Sequence, residues 1–271
     1  MPFRQLDAVT LYFEQAGEGE RLLFISGTGG DLRHKPSIME SPVVRSFDIM
    51  AYDQRGLGQS SVPPGPYSMA DYADDAAGLL AAVGWDSCLV IGMSFGGMVA
   101  QELALRHGAR VRRLVLACTS SGGRGGASYP LHELSELEGE GRAVRQLELL
   151  DTRWDAEWRE AHEVQWQEMV LGIRAYLGGA ASTPSEERIL GASLQLDARR
   201  RHDTADRLGQ ISCPTLVCGG RFDGIAPPTN SEFLAGAIPH AELAFFDGGH
   251  QFILQDRAAI PHIIEFLGRT G

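Results

Sequence analysis

The sequence predicts an α/β fold: a mostly parallel sheet flanked by helices, with a helical insertion after the strand at residues 114–118. Three observations predict it. Short β-rich apolar runs alternate with stretches of helical period, the pattern of βαβ units. Several of the runs are apolar almost without a break, as strands covered on both faces should be. One long interval, residues 121–202, carries helical pattern and no convincing strand.

The first runs are Val9–Phe13, Leu22–Ser26 and Phe47–Tyr52. A helix over Ser68–Val83 separates them from Ser87–Ile91, and a helix over Phe95–Arg106 leads on to Leu114–Cys118. His107-Gly108 closes that second helix, with glycine at a typical C-terminal position. The interval that follows opens with Gly122-Gly123-Arg124-Gly125-Gly126 and breaks again at Gly178-Gly179. It restarts at Thr183-Pro184, an N-cap followed by proline at the first helical position. Alternation resumes with Thr215–Cys218, a helix over Asn230–Ala237, Leu243–Phe246 and a helix over Asp256–Leu267. The expected organisation is a core of residues 1–120 and 203–271, interrupted by an insertion of three or four helices over 121–202.

Composition narrows the function classes. A chain of 271 residues with 44% hydrophobic content buries a full core without staples. The net charge of −11, spread without like-charge runs, argues against nucleic acid and against an anionic membrane surface as partners. The N-terminus has no apolar h-region, and no run approaches bilayer length. Cys88, Cys118, Cys213 and Cys218 lack metal-ligand spacing and read as reduced cysteines of a cytoplasmic protein. Lys35 is the only lysine among the 24 basic residues, which fits a GC-rich bacterial genome. Nothing in the sequence specifies an oligomeric state.

The chemistry begins at Gly92-Met93-Ser94-Phe95-Gly96. Gly-x-Ser-x-Gly alone is a weak signal, but here an apolar strand runs directly in and a helix directly out. That context is what a nucleophile elbow requires, and it lifts a serine hydroxyl to the top of a sheet. Ser94 is therefore the candidate nucleophile, and the N–H of Phe95 a candidate oxyanion donor. A serine hydroxyl needs a base. Of the eight histidines, His250 follows the last predicted strand in Phe246-Asp247-Gly248-Gly249-His250, at the sheet edge where Ser94 emerges. Asp223, in Gly219-Gly220-Arg221-Phe222-Asp223, follows a strand at the same edge and lies between serine and histidine in the chain, so it is the candidate orienting acid. The glycine-rich loop Ser26-Gly27-Thr28-Gly29-Gly30 offers a second oxyanion donor, the N–H of Thr28 in preference to that of Gly27.

With these motifs in this order, the whole chain resembles the α/β-hydrolase superfamily, most closely its small bacterial esterase, enol-lactonase and carbon–carbon hydrolase branches. The turn Tyr52-Asp53-Gln54-Arg55-Gly56-Leu57-Gly58-Gln59-Ser60 adds to the match. The resemblance implies that Asp53, Arg55 and Gly56 shape a structural turn beside the site. It also implies that the insertion is a helical cap. One departure stands out: the family usually has His-Gly where this chain has Ser26-Gly27. Because the donor there is a backbone N–H, activity should survive the change.

The expected function is a serine hydrolase that cleaves a carboxylic ester or lactone through an acyl-enzyme on Ser94. A carbon–carbon bond hydrolase or a thioesterase on the same triad, or a non-hydrolytic binder or cyclase, are the alternatives. The expected partner is a small molecule with an apolar acyl or ring group. Substrate clues are thin. Trp154, Trp158, His162 and Trp166 recur every four residues. The bland reading is a helix stripe packed on the body; the sharper one has Trp154 and Trp158 lining a substrate pocket. His34, in a loop near the site, is a further pocket candidate, and Arg124 and Arg221 are the arginines that could meet a carboxylate. No cofactor is expected, since no glycine-rich stretch has the context of a dinucleotide or phosphate loop, and no metal is expected.

Overall fold

The computed structural model describes residues 2–178 and 185–269, the side chains of 135 and 176–178 excepted. The expected break at Gly179 and restart at Thr183-Pro184 lie outside the described residues. The chain opens with strands β1 (Phe3–Gln5), β2 (Thr10–Ala16), β3 (Arg21–Ile25) and β4 (Asp48–Tyr52). Helix α1 (Met69–Ala82), strand β5 (Cys88–Met93), helix α2 (Phe95–Arg106) and strand β6 (Val111–Ala117) follow. The insertion holds α3 (Gly139–Leu150), α4 (Ala156–Ala161), α5 (Glu163–Gly178) and α6 (Glu186–Arg200). Strand β7 (Thr215–Gly220), helix α7 (Pro228–Ala237), strand β8 (Glu242–Phe246) and helices α8 (Phe252–Gln255) and α9 (Ala259–Leu267) complete the chain.

The strands form one eight-stranded sheet in the order β1-β2-β4-β3-β5-β6-β7-β8. β1–β2 and β2–β4 pair antiparallel, and every other neighbouring pair is parallel. From β3 the chain winds outward to β4 on one side, then returns to β5 on the other. The crevice beyond the carboxyl ends of β3 and β5 is thus the topological switch point, where open α/β sheets bind ligands. Apolar layers cover both faces. Tyr72, Phe95, Val99 and Leu103 belong to one, and Ile91, Val115, Phe252 and Phe266 to the other.

Three expectations need correction. β1 was not anticipated, because three residues are too few to show a period. Cys118 lies beyond its strand, not in it: its φ of 43° turns the chain, although its N–H still donates to the Cys218 carbonyl at 2.8 Å. The helix expected over Asp256–Leu267 starts only at Ala259, as α9, and the short α8 before it was not anticipated; Asp256 lies between them, and its carboxylate accepts the N–H of Ala258 (2.9 Å) and of Asp247 (2.8 Å). A side chain that bonds the local backbone in this way competes with helix continuation.

The turn after β4 is held by buried charge. Asp53 accepts the N–H of Leu32 and of Gln59, each at 2.8 Å, so one carboxylate joins the β3 loop to the β4 turn. Arg55 makes a two-pronged contact with Asp75 of α1, Nε to Oδ2 at 2.6 Å and Nη2 to Oδ1 at 2.7 Å, and both residues are buried. Burial raises the Asp75 carboxyl above its ordinary value, while Arg55 opposes the rise. Asp75→Ala removes both prongs and leaves the guanidinium only the exposed Asp71 carboxylate, 3.8 Å away, and we expect a loss of about 3 kcal/mol. Guanidinium unfolding would show it as a lower midpoint at unchanged slope.

Among the described residues, no helix is long and apolar enough to cross a membrane.

Candidate active site

Tight backbone contacts build the elbow between β5 and α2. Ser94 has φ 55° and ψ −116°, a region that costs a non-glycine residue on the order of 1–3 kcal/mol. The surroundings hold it there: its N–H donates to the Ala117 carbonyl (2.8 Å), and its carbonyl accepts the Thr119 hydroxyl (2.7 Å). The two motif glycines are spatial requirements. A Cβ on Gly96 would sit 2.0 Å from the Ile25 carbonyl oxygen, and one on Gly92 would sit 2.4 Å from the Gly96 oxygen. Helix α2 can therefore start directly against β3, with Ser94 at its amino end.

Three candidates meet there. His250 Nε2 is 3.0 Å from Ser94 Oγ, and His250 Nδ1 is 2.8 Å from Asp223 Oδ2. The other oxygen of Asp223 accepts the N–H of Ile225 and of Ala226, both at 2.8 Å. All three side chains are buried. The His250–Asp223 contact leaves Nδ1 as the donor, since an ionised carboxylate only accepts, and so leaves Nε2 as the acceptor facing the hydroxyl. Such a line can draw a proton off Ser94 as its oxygen attacks an electrophile.

The insertion takes part in holding this line. The carbonyl of Leu150, at the end of α3, accepts the His250 N–H at 2.7 Å, and that of Leu149 accepts the Gly224 N–H at 3.0 Å. One helix end thereby grips both the histidine loop and the acid loop. Sequence reasoning missed this contact, because nothing in Leu149-Leu150 distinguishes it from a packing pair.

The loop Ser26–Gly30 borders the serine. A Cβ on Gly27 would lie 3.4 Å from that of Ser94. The hydroxyl of Thr28 is buried without a partner, and the next residue, Gly29, donates its N–H to Gln195 Oε1 of α6 at 2.9 Å. The N–H of Phe95 opens α2, where no intrahelical acceptor exists.

Other candidates fall elsewhere. His34 is exposed, at the turn that its N–H closes onto the Asp31 carbonyl at 3.0 Å. Trp154 precedes α4 and Trp158 lies on it, so the four-residue stripe is split: Asp155 caps α4 by accepting the Trp158 N–H at 2.8 Å, and His162 ends it. The rings cluster with Ala143, Leu147, Trp166 and Val170 of α3 and α5. They pack on the insertion itself and not on the body, which corrects the bland reading, and no described contact ties either ring to Ser94. Arg124 and Arg221 are exposed, and Arg124 pairs with Asp206 at 2.7 Å.

A cluster that spacing could not reveal surrounds the acid. Ligand-type atoms of Cys118, Asp223 and His250 lie within 4.8 Å of one another. Burial, reinforced by the Asp223 charge, pushes the Cys118 thiol well above its ordinary value. A thiol kept protonated is a poor metal ligand, and Asp223 and His250 are already bonded to each other.

The fold and this geometry define a class, and comparison with known proteins agrees. The chain belongs to the alpha/beta hydrolase fold family, whose sequence model matches residues 20–256. It is 31% identical to a Serratia proteamaculans protein named "Putative carbamate hydrolase RutD", over 94% of each chain. The crystal structure of the enol-lactonase from Burkholderia xenovorans LB400 superposes with a TM-score of 0.76 at 22% identity, over 99% of this chain and 100% of that one. Est816, described as an N-acyl homoserine lactone degrading enzyme, gives a TM-score of 0.74 at 25% identity, over 97% of this chain and 99% of its own.

Proposed function

We propose that this chain is a serine hydrolase acting on a carboxylic ester or lactone, with Ser94 as nucleophile, His250 as base and Asp223 as orienting acid. The observation that carries the reading is the unbroken hydrogen-bonded line from Asp223 through His250 to Ser94, set at the switch point of the sheet. Ser94 Oγ attacks the carbonyl carbon while its proton passes to His250 Nε2. The carbonyl oxygen takes the electron pair and is met by the N–H groups of Phe95 and Thr28. The intermediate collapses, and His250 returns the proton to the leaving alkoxide. Water then repeats the sequence on the acyl-enzyme, with His250 first as base and then as acid. Substrate, water and these side chains supply every proton and electron pair in the cycle.

Residues 121–202 act, in this reading, as a cap on a core of residues 1–120 and 203–271, and the grip of α3 on the His250 loop supports it. The likeness to Est816 supports a lactone or ester. Likeness to the Serratia protein favours a second reading, a carbamate, which the same attack on a carbonyl would serve.

The test is a fluorophosphonate probe followed by peptide mapping, alongside p-nitrophenyl esters of increasing acyl length. We expect a single adduct on Ser94 and turnover that peaks at one chain length. An unlabelled Ser94 and no turnover of any ester would overturn the proposal.

A further inference from the structure

Three of the five residues in Ser26–Gly30, the loop that borders Ser94, are glycines, the residue with the most backbone freedom to lose. Within the loop the Gly30 N–H donates to the Gly27 carbonyl at 3.2 Å and closes a turn whose central residues are Thr28 and Gly29. Gly29, the second of the two, has φ 70°, the sign that a type II turn requires there. A type I turn between the same ends needs a negative φ at that position, which glycine adopts as readily. The two forms differ by a flip of the peptide that joins Thr28 to Gly29. From the body, Gln54 Nε2 donates to the Ser26 carbonyl at 2.9 Å. That bond fixes where the loop starts, but not which way the Thr28–Gly29 peptide faces.

The bond that selects between the two forms comes from the insertion. Gln195 of α6 accepts the Gly29 N–H at 2.9 Å. An N–H only donates, so the amide oxygen faces the loop, and Nε2 is buried without a partner. A buried donor left unpaired costs free energy, so the bond to the oxygen is what a glutamine contributes at this place. Helix α6 is seated on the body on both sides of it. Gly191, one turn earlier on the same face, packs on Gly56. Arg188 donates to the Ser60 carbonyl at 2.6 Å, and Arg201, just past the end of the helix, to the Tyr67 carbonyl at 3.0 Å.

We propose that Gln195 is a positioning residue, which holds the turn of residues 27–30 in its type II form and so keeps the Thr28 N–H in place for the oxyanion. The inference rests on the serine-hydrolase reading above, in which Thr28 supplies the second donor. Gln195 acts through Gly29, not on the substrate. Without its oxygen the turn exchanges between two forms, and the Thr28 N–H stands in place in only a fraction of the molecules.

The experiment measures kcat and KM on the preferred p-nitrophenyl ester, and Ki for an alkylboronic acid of matching length, in wild type, Gln195→Met and Gln195→Glu. The boronic acid becomes tetrahedral on Ser94 and sets an oxygen where the oxyanion forms, so it reads the donors as the transition state does. Gln195→Met should lower kcat roughly 10- to 100-fold and raise Ki by a similar factor, with KM little changed. Gln195→Glu keeps an accepting oxygen and should recover most of both, which a loss of packing would not predict. An unchanged kcat in Gln195→Met, or a rise in KM alone, would overturn the role. Amide exchange at Gly29 reads the tie without any activity: it should be slow in wild type and in Gln195→Glu, and fast in Gln195→Met. Fast exchange in wild type overturns the inference while leaving the hydrolase reading untouched. If no ester turns over and Ser94 does not label, it is the hydrolase reading that fails, and the Gly29 exchange alone then decides whether Gln195 holds the turn.

Discussion

Ser94→Ala should lower kcat on the preferred ester by a factor on the order of 10⁴–10⁶ while leaving the protein folded. The hydroxyl is the only atom lost. The backbone bonds at Ser94, from its N–H to Ala117 and from Thr119 to its carbonyl, do not involve that hydroxyl. The strained φ of 55° is imposed by these neighbours and would persist in alanine. Oxyanion donors and binding contacts would also persist, so a small rate above the uncatalysed reaction should survive. The check is steady-state kinetics on protein freed of wild-type contamination, with circular dichroism and Tm for the fold. A decrease below tenfold would remove Ser94 from the chemistry.

Asp223→Asn should cost about 10⁴ in kcat for a different reason. The N–H groups of Ile225 and Ala226 both aim at one position of the Asp223 carboxylate. In an asparagine they would claim the amide oxygen and turn the NH₂ group toward His250 Nδ1. That nitrogen must then accept, which places the ring proton on Nε2, facing Ser94. The base becomes a donor and cannot take the hydroxyl proton. The prediction is specific: KM changes little, kcat collapses, and fluorophosphonate labelling of Ser94 slows in parallel. Asp223→Ala leaves the ring free to take either tautomer and should retain more activity than Asp223→Asn. An Asn variant faster than the Ala variant would contradict the tautomer argument.

Much of this was legible before any coordinates, and the reason is locality. Apolar runs of strand length and helices of 3.6 period are encoded in neighbouring residues, so β2 to β8 and helices α1, α2 and α7 fall within a few residues of expectation. Positions just after strands are local too. In a parallel sheet they share one edge, which is why Ser94, Asp223 and His250 could be selected although they lie far apart in the chain. The rest depended on how elements pack. The tryptophan stripe has helical spacing but is split by the Asp155 cap, and its rings turn into the insertion. Arg199 reads as an ordinary cation in a helix's last turn, in a run with Arg200 and Arg201. Only the approach of α6 to the body buries it. That approach is set where Gly191 meets Gly56, so closely that a Cβ on Gly191 would lie 2.1 Å from the Gly56 oxygen. The sequence by itself determined the sheet, its chain order and the three residues gathered at its edge, because each is written in a short stretch of chain. Tertiary structure alone decided what surrounds them, because a helix's burial, and the charge it carries inside, depends on surfaces contributed by distant parts of the chain.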